Sequence, residues 1–240
     1  MNVLNNKNCF ITGASGGLGR EIAKEFLMNN CNLFLTAQNE QKLKKLKSEL
    51  DRINTRNCKI FYSTCDITNQ QQIKNLIKVV RQNFSHVDIM INCAGIFQSK
   101  PISQTTMDDF DKMFAVNVRA PFVFCKEFSI DMIKWKWGRI INIGSSSSYS
   151  GFKNGSIYCS SKHAILGLSR SLFAELKEFN IRAYSISPGS IKTKMGRLSK
   201  DQDYETFLDP KEVAKYVEFV ARFDGELISE EVRLNRINLQ

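Results

Sequence analysis

Three side chains in this 240-residue chain are of the types and spacing that a proton-transfer site requires: Tyr158 and Lys162, four residues apart, and Ser145 upstream. Residues four apart share one face of a helix, so a phenol and an ammonium so placed can reach the same cleft. A phenol titrates near ~10 and is a poor proton donor or acceptor at neutral pH. An ammonium about 4 Å away favours the phenolate by roughly 4 kcal/mol at an effective dielectric of about 20. That lowers the phenol pKa by about 3 units toward ~7, where general acid–base work is most efficient. Alone, the pair could equally be an exposed Tyr and Lys on an ordinary helix.

A second group of residues gives the pair a context. Thr12-Gly13-Ala14-Ser15-Gly16-Gly17-Leu18-Gly19 follows an apolar strand and opens a helix. Glycines let the backbone turn tightly and approach a ligand closely. The helix N-terminus offers free N–H groups and the positive end of its dipole to a pyrophosphate. The turn therefore predicts a dinucleotide seat, with Gly13, Ser15, Gly17, Leu18 and Gly19 as its contacts; the alternative is a glycine-rich turn with no ligand. An acid at the end of the second strand bonds the ribose hydroxyls and repels a 2′-phosphate. Here that segment reads Leu35-Thr36-Ala37-Gln38-Asn39, with neither acid nor Arg, and Gly16 stands in the turn where a basic residue could. The expectation is NADP(H) over NAD(H).

These residues must be carried by elements, and the pattern of the chain supplies them. Apolar strands are expected at 8–12, 32–36, 59–63, 87–91, 139–143, 182–186 and 232–237. Amphipathic helices are expected at 21–29, 40–53, 69–83, 108–135, 157–179 and 210–222, with Thr68 and Asp209 as N-caps and Pro121 marking an irregularity. Strands alternating with helices predict an α/β fold: a three-layer, doubly wound, mostly parallel seven-stranded sheet in one domain spanning 1–240. The polar stretch 195–208 is the candidate for a lid on the substrate side.

Composition narrows the class. The chain is 42% hydrophobic and 24% charged, ordinary for a soluble globular protein. No apolar run reaches the roughly 20 residues that span a bilayer. The N-terminal Met1-Asn2-Val3-Leu4-Asn5-Asn6-Lys7 lacks the apolar core of a signal peptide, so a cytoplasmic protein without membrane attachment is expected. Seven scattered Cys and two His fit neither a disulfide framework nor a metal site; the cysteines read as reduced, and no metal is expected. The net charge of +10 raises the question of a polyanion. The densest basic run, Lys42 to Lys47, has leucines at helical spacing and reads as a solvated helix face, with no nucleic-acid motif beside it.

Taken together, TGASGGLG at 12–19, NCAG at 92–95, the Asn117 of VNV, Ser145, YCSSK at 158–162 and SPGSIKT at 187–193 resemble the short-chain dehydrogenase/reductase family, over about 8–237. Ser145 stands thirteen residues before Tyr158, as is common in that family. Cys93 stands where the family often has a second Asn, and the last strand lacks the frequent Asp-Gly-Gly ending. The resemblance implies a Rossmann fold and a set of roles. Tyr158 would exchange a proton with a substrate carbonyl or hydroxyl. Lys162 would hold the nicotinamide ribose and depress the phenol pKa. Ser145 would bond the substrate oxygen, and Asn117 would hold a relay water behind Lys162. Asp66 and Ile67 would meet the adenine, Asn92, Ala94 and Gly95 would line its ribose side and support the sheet, and Gln38 and Asn39 would meet the adenosine ribose or its phosphate. Pro188, Gly189, Ile191 and Thr193 would flank the nicotinamide. Homodimers or homotetramers are common in the family, and Ile165, Leu166, Leu168, Leu172 and Phe173 permit such a contact.

Several residues also have plainer readings. Asp66 could merely cap a turn, and Asn117 could be an internal hydrogen bonder. Ser146, Ser147 and Ser148 read as loop or substrate rim, Cys159 as packing, His163 as pointing elsewhere, and Trp135 and Trp137 as packing at a helix end or subunit contact. Phe152, Asn154 and Tyr149 are expected to shape the substrate pocket. The function expected is hydride transfer between a nicotinamide and a small carbonyl or secondary alcohol. The rival is a catalytically silent dinucleotide-binding regulator, which the presence of Ser145, Tyr158, Lys162 and Asn117 together disfavours.

Overall fold

The structure, a computed structural model, describes residues 2–199 and 201–237; Lys200, within the expected lid, lies outside it. Seven strands form one sheet: Asn8–Thr12 (β1), Asn32–Ala37 (β2), Ile60–Thr64 (β3), Ile89–Asn92 (β4), Gly138–Ile143 (β5), Ile181–Pro188 (β6) and Glu231–Leu234 (β7). Their order is β3-β2-β1-β4-β5-β6-β7, and every neighbouring pair is parallel. The helices are Gly17–Met28 (α1), Glu40–Ile53 (α2), Gln70–Asn83 (α3), Met107–Phe114 (α4), Ala120–Trp135 (α5), Ser156–Leu176 (α6) and Pro210–Arg222 (α7).

Alternation along the strands sorts the core into two layers, because successive side chains leave opposite faces of a sheet. Cys9, Ile11, Leu33, Leu35, Ile89 and Ile91 pack with Ile22 and Phe26 of α1, Leu43 and Leu46 of α2, and Val213 and Val217 of α7. Phe10, Phe34, Met90 and Ile140 pack on the other face with Ile73 and Val80 of α3 and Phe124 and Phe128 of α5. Phe10 lies 5.1 Å from the rings of both Phe124 and Phe128. Burial of each such side chain contributes about 1.5–3 kcal/mol. The chain is therefore the three-layer, doubly wound sheet that the pattern predicts, and the order reverses between β1 and β4, where such sheets open a crevice at their strand C-termini.

The structure corrects several local expectations. The cap of α3 is Asn69, whose side chain accepts from the Gln71 and Gln72 N–H groups. Thr68 instead turns its hydroxyl to Asp66. The first helix starts at Gly17, inside the glycine turn. The expected helix 108–135 is broken by a wider, π-type turn at Ala115–Arg119, and α5 then begins with Pro121 in its first turn. Pro121 has no N–H to offer the Asn117 carbonyl four residues earlier, so the regular ladder cannot continue there.

At the edge where the strands begin, Arg139 is fully buried. It donates to Asp224 Oδ1 at 2.5 Å and to the carbonyls of Ala221 at 3.2 Å and Phe223 at 2.9 Å, which ties the end of α7 to β5. Trp137 lies between this guanidinium, at 4.3 Å, and the Lys7 ammonium, at 3.9 Å, and donates its N–H to Asp224. Trp137 thus packs inside the molecule, whereas Trp135 is half exposed and stacks on His86.

Candidate active site

The expected site residues gather where the strands end. Thr12 closes β1, and its hydroxyl accepts from the N–H groups of Cys93 at 3.2 Å and Ala94 at 3.1 Å. Gly13 follows at φ +64°, and a Cβ placed on it would stand 2.7 Å from the Ala94 Cα. Only glycine fits that combination of left-handed backbone and close approach. Gly16 N–H donates to the Gly13 carbonyl at 2.9 Å, and Gly16 caps α1 without any side-chain bond. The first N–H groups of α1 are therefore left for an external acceptor, which fits a pyrophosphate. A Cβ on Gly17 would meet the Thr193 methyl at 2.7 Å, so the chain after β6 rests on this turn. Ser15 and Leu18 lie within the same turn and helix start.

Beside the turn, Gln38 Nε2 donates to Asp66 Oδ1 at 3.1 Å, and the same oxygen accepts from Thr68 N–H at 2.9 Å and its hydroxyl at 2.8 Å. The Thr68 N–H above all, then its hydroxyl, holds the Asp66 carboxyl below the usual range. Asp66 thus caps a turn. Asn39 spends its side-chain oxygen on the Lys42 N–H as the cap of α2, at 2.9 Å. Ile67 is buried in the apolar layer beside α3, so only its main chain could meet a ligand. Asn92 points into the core, donating to Asn142 Oδ1 at 2.8 Å, and it supports the sheet without facing the crevice. A groove of about 950 Å³ is lined by Gln38, Asp66 and Thr68 together with Lys112, Arg119 and Phe122, and Tyr158 is not part of its lining.

At the other end of the crevice, Ser145 follows β5 in extended backbone. Its Oγ accepts from the Ser147 N–H at 3.1 Å, which leaves the hydroxyl proton free to donate. Tyr158 is 8% exposed on α6. The ring of Phe97 stands edge-on to it at 4.9 Å, and Phe152 lies 6.4 Å away. Phe97, the second residue after NCAG, escaped the sequence reading because a lone Phe after a strand is ordinary core material; Ser161, which accepts from Asn117, escaped it inside the YCSSK motif. Cys159 is buried, as expected for packing, and His163 Nδ1 lies 2.8 Å from the Cys159 carbonyl on its own helix.

Lys162 reaches the site but not as expected. Its ammonium donates to the Ile143 carbonyl at 2.9 Å and lies 5.8 Å from the centre of the Tyr158 ring. Burial lowers its pKa to about 8, against a smaller opposing pull from Cys93. Burial likewise raises the Tyr158 phenol, and the neighbouring Ser145 hydroxyl only partly offsets this. The expected depression of the phenol by Lys162 is therefore corrected: burial raises it instead. The missing physics is desolvation, which penalises both charged forms and outweighs their attraction across a gap of this size.

Asn117 sits in the π-type turn with its side-chain amide fully engaged. Its oxygen accepts from Ile96 N–H at 2.9 Å, and its nitrogen donates to the Ile96 carbonyl at 3.0 Å and Ser161 Oγ at 3.1 Å. Pro121, four residues on, has no N–H to donate to the Asn117 main-chain carbonyl. Gly95 lies beside it: a Cβ there would stand 3.9 Å from Lys162 Nζ. After β6 ends at Pro188, Gly189 N–H donates to Leu234 O at 2.9 Å, and Ile191 pairs with Leu208, which closes the base of the stretch 195–208. Within that stretch the described residues form two short turns, Gly196–Leu198 and Tyr204–Thr206.

A short chain dehydrogenase family model matches residues 7–203. The chain is 30% identical over 217 residues to an uncharacterized oxidoreductase of Staphylococcus aureus (strain MW2), covering 90% of this chain and 91% of that one. It is also 30% identical over 235 residues to a 3-oxoacyl-(acyl-carrier-protein) reductase of Rickettsia bellii (strain RML369-C), covering 94% and 93%. Among solved structures, an alcohol dehydrogenase from the archaeon Thermococcus sibiricus, complexed with 5-hydroxy-NADP, superposes with a TM-score of 0.88 at 25% identity, covering 97% of each chain.

Fold and crevice together define a nicotinamide-dependent oxidoreductase of alcohols and carbonyls. The chain belongs to the short-chain dehydrogenase/reductase family.

Proposed function

We propose that Ser145, Tyr158, Lys162 and Asn117 form the catalytic set and that NADP(H) is the preferred cofactor. The observation that carries the reading is the Ser145 hydroxyl, oriented by the Ser147 N–H and placed beside the buried Tyr158 phenol. When bound, the nicotinamide supplies or accepts the hydride. Tyr158 holds at its Oη the proton that passes to a carbonyl oxygen in reduction. Ser145 donates a hydrogen bond to that oxygen as charge develops, an oxyanion-type role. Lys162 carries positive charge behind the phenol and offers its ammonium to ribose hydroxyls. The Asn117 carbonyl holds a water that returns a proton toward Lys162. Phe97 and Phe152 flank the phenol and exclude water from it.

Gly13, Ser15, Gly17, Leu18 and Gly19 would hold the pyrophosphate; Asp66 and the Ile67 main chain, with Gln38, the adenosine; Ala94 and Gly95, its ribose; and Pro188, Gly189, Ile191 and Thr193, the carboxamide side. Asn39 has only its amide nitrogen to contribute. The preference for NADP(H) is supported by the absence of an acid in Ala37-Gln38-Asn39 and by the engagement of nearby Asp66 with Thr68 and Gln38. The likeness to an alcohol dehydrogenase complexed with 5-hydroxy-NADP points the same way. The stretch 195–208 serves as the substrate-side lid, and the domain is one unit. Assembly into a homodimer or homotetramer is supported by half-exposed Phe122 and Ile130 on α5; Ile165 and Leu166, expected at such a contact, are buried. Seven free cysteines support a cytoplasmic setting.

The test is a screen of carbonyls and secondary alcohols, read as change in NADPH or NADH absorbance. Turnover with at least one carbonyl, faster with NADPH, is expected. Cofactor binding without turnover across the panel favours the silent regulator.

A further inference from the structure

We propose that Tyr149 is a positioning residue for Ser145, anchored by Glu231 and Arg170. The inference rests on Ser145 acting on the substrate oxygen. Ser145 is not held by regular structure: it lies in the short turn between β5 and α6, and Ser146–Ser148 form one tight coil after it. Inside that turn, Ser148 N–H donates to the Ser145 carbonyl at 2.8 Å and Ser145 N–H to Ser148 Oγ at 3.2 Å. Ser147 N–H fixes the Ser145 hydroxyl itself. The turn is thus internally closed and forms a single block. On its strand side the turn is tied by the Gly144 N–H to the Ile186 carbonyl at 2.7 Å, and on its far side comes Tyr149, whose N–H donates to the Ser146 carbonyl at 3.2 Å.

Tyr149 crosses the turn to the last strand. Its hydroxyl donates to Glu231 Oε2 at 3.1 Å, and Arg233, two residues along β7, stacks its guanidinium 4.7 Å from the ring centre. Glu231 is in turn gripped by the α6 guanidinium: Arg170 Nε and Nη2 donate to its two oxygens at 2.5 and 3.0 Å. A bidentate guanidinium–carboxylate pair fixes direction as well as distance. The phenol is therefore aimed from β7 and α6 together, and α6 also bears Tyr158 and Lys162. The turn carrying Ser145 and the helix carrying Tyr158 are registered to each other through this bridge. A displacement of about 1 Å at a donor to the reacting oxygen is enough to cost catalysis severely.

The experiment uses the full chain and a carbonyl substrate from the screen, with Tyr149→Phe, Ser145→Ala and the double variant. Tyr149→Phe keeps the ring and removes only the hydroxyl. It is expected to lower kcat about tenfold, with KM for the dinucleotide within about twofold of wild type. In the Ser145→Ala background it is expected to have almost no further effect, because the block then has no donor left to aim. Glu231→Gln should move kcat in the same direction. A Tyr149→Phe enzyme with wild-type kcat overturns the proposal, as does an equal loss of kcat in the Ser145→Ala background, which is the behaviour of a merely structural residue. If instead Ser145→Ala itself keeps full turnover, the catalytic reading of Ser145 fails, and that outcome is separate from either of the other two.

Discussion

Lys162 and Ile143 are joined by a hydrogen bond of 2.9 Å from the side-chain ammonium to the last carbonyl of β5. The bond couples the helix that bears Tyr158 to the strand that delivers Ser145. It also places a charge in a buried site, where desolvation lowers its pKa to about 8.

A consequence for stability follows from that burial. An unfolded Lys titrates near ~10.4, above the folded value, so the unfolded chain binds more protons between the two. The folded state is penalised while Lys162 is charged, and stability from this group grows as pH rises from about 8 toward the ordinary lysine range. Lys162→Met should abolish turnover. Its melting temperature relative to wild type should be highest at neutral pH and shrink as pH rises through that window. A difference in melting temperature that stays constant with pH would falsify the burial argument. Reduction by the wild type should slow above about 8, as the ammonium is lost.

Tyr158→Phe preserves the ring between Phe97 and Phe152 and removes the proton. Turnover should fall by about 10²–10⁴, the usual weight of a positioned acid or base. Dinucleotide affinity, followed by fluorescence titration, should stay near wild type. Retention of most turnover would show that the proton comes from elsewhere.

Ala37→Asp places a carboxylate at the end of β2, where it repels a 2′-phosphate and bonds free ribose hydroxyls. The ratio of kcat/KM for NADPH over NADH should drop by about tenfold or more, since a unit of like charge at close range is worth more than about 1.4 kcal/mol. An unchanged ratio removes the reading of this segment.

Gly13→Ala must adopt φ +64° and press a methyl onto the Ala94 backbone. The left-handed conformation alone costs about 1–2 kcal/mol. The variant should melt several degrees lower and lose dinucleotide binding. Wild-type behaviour in both respects would mean that the turn is not the tight seat described.

Arg139→Met leaves Asp224 and the carbonyls of Ala221 and Phe223 without their buried partner. Asp224 is more than a third exposed, so the carboxylate left behind is solvated, and the loss is that of the buried hydrogen bonds to the carbonyls, about 1–3 kcal/mol. Chemical denaturation should show that loss, while kcat of the folded fraction stays at wild type because Arg139 lies at the opposite edge of the sheet. A kcat loss without a stability loss would contradict the assignment.

Several elements of this molecule are legible in its sequence. β1, α2 and α7 with its Asp209 cap fall where apolar period and capping chemistry put them. Other boundaries slipped where two residues compete for one job, as at Thr68 and Asn69. The break before α5 was signalled by Pro121, yet its effect falls upstream, because a missing N–H is felt by the carbonyl four residues earlier. In the crevice, Ser145, Tyr158 and Lys162 do converge. Their protonation was not legible, since spacing along a helix says nothing of how deeply a side chain is buried or which carbonyl it finds. The same limit applies to Asn39 and Asn92, whose side chains are spent on a helix cap and on Asn142.

The Thr193 methyl stands so close to Gly17 that no side chain fits between them, so the glycine turn and the chain after β6 share one contact. Thr193 Oγ1 also accepts from the Gly196 N–H at 3.1 Å, so the segment that follows is tied to the residue standing over the glycine shelf. If 195–208 acts as the proposed lid, the pace at which proteases nick it should change when a dinucleotide fills the glycine shelf.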